Sequence, residues 1–75
     1  MVRLFFYMEG IIEYINTEKG YGFIKIDGYE KNVFFHARDL FNTSFDDVKK
    51  GDAVSIKEVV ESEKGNSAKG VKLID

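Results

Sequence analysis

The stretch at residues 19–26, "KGYGFIKI", and the tetrapeptide Val33–His36, "VFFH", concentrate side chains suited to holding a flat, charged ligand. Tyr21, Phe23 and Lys25 recur at every second position of the first, and Phe34 and His36 do the same in the second. An aromatic ring accepts the π-face of an unstacked base, at about 1–3 kcal/mol per base and with little sequence preference. A neighbouring lysine meets the phosphate. Other chemistries lack the residues they need. There is no cysteine and His36 is the only histidine, which excludes thiolate and multi-histidine metal sites. Asp39 alone does not make a constellation with it. No Gly-x-Ser-x-Gly, phosphate-loop or paired-histidine motif is present, so no catalytic residue, metal ligand or cofactor site is expected.

Positioning these side chains requires short strands. Runs of β-type residues at 10–15, Tyr21–Ile26, Val33–His36, 53–60 and 68–74 are separated by clusters of Gly, Asn, Asp and Ser. Residues 62–67 read as a glycine-containing loop, and 37–40 as a short helical turn at the start of a longer connection. Five strands in a chain of this size fit a closed all-β barrel of the OB kind, in which closure removes the free edges. Alternation assigns the faces. Ile24, Ile26, Val33 and Phe35 go inward, joined by Ile12, Val54, Ile56, Val71 and Leu73. Tyr21, Phe23, Lys25, Phe34 and His36 go outward, because the reverse would bury a lysine and a histidine without partners. Exposed aromatics side by side mark a binding surface, the alternative being that they pack under a loop or in a dimer contact. Gly20 and Gly22, lacking side chains, leave room for a ligand or a neighbouring backbone to approach.

Length and composition bound the reading. Seventy-five residues make one domain, and the absence of cysteine fits a reducing, cytoplasmic setting. A net charge of −2 disfavours a general polyanion binder but leaves room for a local patch. The apolar run at residues 4–7 is too short for a membrane span or a secretory h-region.

The motifs resemble a known family. "KGYGFI" looks like RNP1 and "VFFH" like RNP2, in the order and spacing of the cold-shock domain. "GIIEYIN" stands where that family has G-x-V-K-W-F-N, and "KGNSAKGV" resembles its K-G-P-x-A-x-x-V segment leading into the last strand. The resemblance implies a five-stranded antiparallel Greek-key barrel over residues 9–75 that binds single-stranded RNA or DNA, commonly as an RNA chaperone in the cold-shock response. By position it implies stacking on Tyr14, Tyr21, Phe23, Phe34, His36 and Phe45, with Lys19, Lys25 and Lys64 near phosphates.

Several positions depart from the pattern. Glu13 replaces a lysine, Tyr14 a tryptophan, and Ile15 and Ala37 replace aromatics. Together these predict binding weaker by a few kcal/mol, with stacking terms of ~1–3 each. Strict alternation from Ile12 would also turn Tyr14 inward, and a β-bulge near Glu13–Tyr14 would reconcile it with an outward ring. Residues 1–8 form an apolar extension that either lengthens the first strand or makes a homodimer contact through Leu4, Phe5 and Phe6. With Glu13, Ala37 and the acidic balance, that extension supports a rival reading, a barrel kept as a protein-interaction or oligomerisation module.

Overall fold

Alternating apolar side chains give each strand one face that must leave water, and five such faces meet in a closed barrel in the computed structural model, which describes residues 8–74. The strands are β1 (Met8–Asn16), β2 (Tyr21–Ile26), β3 (Val33–His36), β4 (Ala53–Ser62) and β5 (Gly65–Leu73), arranged β1-β2-β3-β5-β4. β2 and β3 have the limits that the sequence predicts. β1, β4 and β5 each run longer. Expectations for the extension at residues 1–7, including the dimer contact, lie outside the described residues.

Four neighbouring pairs are antiparallel, whereas β3 and β5 are parallel. The exception follows from the order. β4 opposes β1 and β5 opposes β4, so β5 must run with β1, and therefore with β3. The parallel seam is short, with Phe34 opposite Ser67 and a further bridge from Leu40 to Val71.

The core contains every inward residue that alternation assigns except Leu73, which is half-buried at its edge. Ile12, Ile24, Val33, Phe35, Val54, Ile56 and Val71 are fully buried, with Ile26 nearly so. Each such side chain contributes about 1.5–3 kcal/mol by leaving water. Leu40, Val48 and Ala68 complete the core. Ala68 is inward because β5 changes face at Gly70, whose φ of +64° is a left-handed conformation that an L side chain rarely adopts. On β4 the same change takes the core from Ile56 to Val59.

Two connections differ from expectation. Residues 62–67 are not a loop, since Ser62 pairs with Gly65 and only Glu63 and Lys64 form the turn. The long connection holds two 3₁₀ turns, Ala37–Asp39, as anticipated, and Phe45–Asp47. The second begins at Ser44, whose Oγ accepts from the Asp46 amide and so caps the turn. Among the described residues no helix is long and apolar enough to cross a membrane.

Candidate nucleic-acid interface

The outward face of β1–β3 carries two rows of side chains. Tyr14, Phe23 and Phe34 lie opposite one another across the three strands, and Asn16, Tyr21 and His36 form the adjacent row. The rings touch. Tyr21 stacks on Phe34 at 5.7 Å between centroids, and Phe23 meets Phe34 and Tyr21 edge-on at 5.9 Å. Tyr14 closes the group at 6.0 Å from Tyr21 and 6.2 Å from Phe23. These are separations at which aromatic pairs contribute about 0.5–1.5 kcal/mol each beyond their burial. The four rings hold one another upright while keeping surface free.

Tyr14 belongs to this group because β1 is bulged. The register with β2 shifts between Ile12 and Tyr14, so Ile12 stays buried while Tyr14, two residues on, turns outward with 45% of its surface exposed. Gly22 accommodates the bulge. A Cβ there would lie 2.5 Å from the Tyr14 carbonyl oxygen and 2.7 Å from the Phe35 ring. The close approach that this glycine permits is that of backbone and core ring, on the inward side. Gly20 belongs to the turn joining β1 to β2, its amide donating to the Asn16 carbonyl.

His36 ends β3 and caps the turn that follows. Its Nδ1 accepts from the Arg38 amide at 3.1 Å, and its own amide donates to Asp39 Oδ2 at 2.9 Å. With Nδ1 accepting, the neutral ring carries its proton on Nε2, a donor for a base edge. Asp39 is thereby a capping residue, and its Oδ1 also meets Lys69 at 3.4 Å.

The lysines divide by location. Lys25 is exposed two residues beyond Phe23 on the same face, opposite Ile11. Lys19 lies in the β1–β2 turn, its amide bonded to Asn16 Oδ1. Lys64 stands at the β4–β5 turn beside a groove of about 670 Å³ that Phe23 and Phe34 also line. Lys31, Asn32, Asn66 and Ser67 share that groove and were not anticipated. Asn32 and Lys31 immediately precede the strand bearing Phe34, which was a readable signal. Asn66 and Ser67 arrive only through closure of β3 on β5. Phe45 does not join the surface rings. It packs against the core with its ring 5.9 Å from that of Phe35. Among the described residues no group of acidic or histidine side chains could hold a metal ion.

Comparison with known proteins gives the same picture. Residues 8–74 match the model of the 'Cold-shock' DNA-binding domain. Cold shock protein CspA of Staphylococcus aureus is 36% identical over 63 residues, spanning 84% of this chain and 92% of its own. CspA of Staphylococcus saprophyticus is 35% identical over the same length, with the same shares covered. Among solved structures, drosophila Unr CSD456 superposes with a TM-score of 0.75 at 23% identity, over 93% of this chain and 27% of that longer one, a likeness of fold. The chain belongs to the cold-shock domain family, whose barrel binds single-stranded nucleic acid and is not an enzyme.

Proposed function

We propose that the protein is an RNA chaperone that holds single strands by stacking their bases on Tyr14, Tyr21, Phe23 and Phe34. The observation that carries this reading is the contiguous set of four rings on the outer face of β1–β3. Each base held there is withheld from pairing, and stacking of about 1–3 kcal/mol per base competes with the roughly 1.4 kcal/mol per step of a duplex. His36 stands at the edge of the platform as a hydrogen-bond donor. Lys19, Lys25 and Lys64 are the phosphate contacts, and Lys31 joins them from the groove. Phe45 contributes through the core rather than by stacking. Glu13 and Ala37 hold affinity below that of a chain with lysine and an aromatic at these positions. The setting is the cytoplasm, in keeping with a chain free of cysteine.

The protein has no tryptophan and four tyrosines, so tyrosine emission reports binding directly. Heptamers of dT or U are expected to quench it, with affinity falling as salt rises. Phe23→Ala and Phe34→Ala should each weaken binding roughly 5- to 150-fold, the equivalent of one lost stack. Unchanged binding in both variants would refute stacking. Absence of quenching even at low salt would favour the rival, a barrel that serves protein contacts.

A further inference from the structure

A second aromatic and basic surface lies away from the platform, on the outer face of β4 and β5. A cleft of about 500 Å³, within the usual range of ligand pockets, is lined by Phe41, Ser55, Lys57, Gly70 and Lys72. Its construction is local. Ser55 faces Lys72 across the strand pair, and between Ile56–Val71 and Glu58–Lys69 the register sets Lys57 opposite Gly70. Gly70 forms the floor, since a Cβ there would lie 2.6 Å from that of Lys57.

Phe41 forms a wall and has 66% of its surface exposed. Its backbone is nonetheless pinned to β5. The Phe41 amide donates to the Val71 carbonyl at 3.2 Å. Next to it, the Asn42 side chain stands in for a strand, donating to the Leu73 carbonyl at 3.1 Å and accepting from the Leu73 amide at 2.9 Å. The cleft lining contains two lysines, a hydroxyl and no carboxylate. Two acids border this side, Glu9 on β1 opposite Ser55 and the exposed Glu58 that follows Lys57 on β4, and neither lines the cleft. Among the described residues neither Lys57 nor Lys72 is in an ion pair, whereas Lys69 of the same strand is held by Asp39.

We infer that this cleft is a second contact site for single-stranded nucleic acid, with a base against Phe41 and phosphates at Lys57 and Lys72. The inference rests on the platform reading for delivery of the strand. A strand held at the platform presents its remaining nucleotides at high effective concentration, so even a weak second site fills. A strand whose nucleotides are all taken up by the platform has none to spare for the cleft, whereas a long one does. Twenty nucleotides extend about 68 Å even at the 3.4 Å spacing of a stacked strand. The long axis of the molecule is 44 Å.

The test compares labelled dT7 and dT20 by fluorescence anisotropy on the full chain, Phe41→Ala, and the double variant Lys57→Gln/Lys72→Gln. For the full chain, dT20 should bind more tightly than its greater number of binding registers explains. Phe41→Ala should cost dT20 roughly five-fold or more. Lys57→Gln/Lys72→Gln should lower the dT20 salt slope by about 1.4, from two lost phosphate contacts. Binding of dT7 should be unchanged in both. Unaltered dT20 affinity and slope would overturn the inference and leave the cleft to a protein partner. An equal loss for dT7 and dT20 would overturn it as well. If dT7 fails to bind the unaltered chain, the platform reading is what fails, and the effect of the lysine variant on dT20 still decides the cleft.

Discussion

Tyr14, Tyr21, Phe23 and Phe34 brace one another across three strands, whereas Phe41 meets no other ring among the described residues and is placed through its backbone and the neighbouring Asn42. The contrast teaches where binding strength resides. Rings that already restrict one another lose little freedom when a base arrives, and preorganisation of that kind raises affinity without a new contact. A single ring on a pinned backbone still has its own rotamers to surrender. The platform should therefore set affinity, and the β4–β5 cleft should only extend it along a longer strand.

The largest expected effect tests what the platform stands on. Gly22→Ala drives a methyl into the Tyr14 carbonyl and the Phe35 ring. Overpacking of this kind costs about 1–3 kcal/mol, and each kcal/mol lowers Tm by roughly 4–8 °C in a domain this small. Affinity for dT7 should fall with it as Tyr14 shifts. Full retention of both would show that the bulge does not depend on this glycine.

A smaller effect, beside the β4–β5 cleft, comes from Asn42→Ala. It removes two hydrogen bonds to Leu73 at about 0.5–1.5 kcal/mol each, towards the lower end because they are exposed. Thermal melts should show a drop of a few degrees, ~4–8 °C per kcal/mol. The advantage of dT20 over dT7 should shrink while dT7 holds steady. A falling dT7 affinity would mean that the two surfaces are not independent.

The smallest effect sharpens the platform. Glu13→Lys exchanges a repulsion for an attraction beside Tyr14, and should steepen the salt dependence for dT7 by about 0.7 for each phosphate newly contacted. The affinity gain should be a few-fold at low salt and vanish at high salt. An unchanged slope would show that Glu13 lies off the path of the strand.

The parts of this molecule that alternate strictly are legible in the sequence alone. β2 and β3 have the expected limits, and their two faces divide as expected. The bulge in β1 was visible only as a conflict between a buried Ile12 and an outward Tyr14, because a register shift is a relation between strands. Face switching at Gly70 hid Ala68 for a similar reason. Nothing in the local pattern says that two paired strands turn together. Phe45 sits in a connection with no periodicity to orient it, and the resemblance alone suggested an outward ring. Asn66 and Ser67 meet Phe34 through a parallel contact between positions far apart in the chain, which sequence spacing does not encode.

That contact has a dynamic consequence. Every other junction in the barrel is zipped by several register pairs, while β3 and β5 share one, with the Leu40 bridge beyond it. The wall is thinnest there, and breathing of the native state should start at this seam, where amides exchange with solvent ahead of the rest. The groove beside the platform straddles it, with Phe34 on one bank and Asn66 and Ser67 on the other. A strand bound in that groove should span both banks and act as a clasp, and ligand should then slow amide exchange at the seam more than elsewhere.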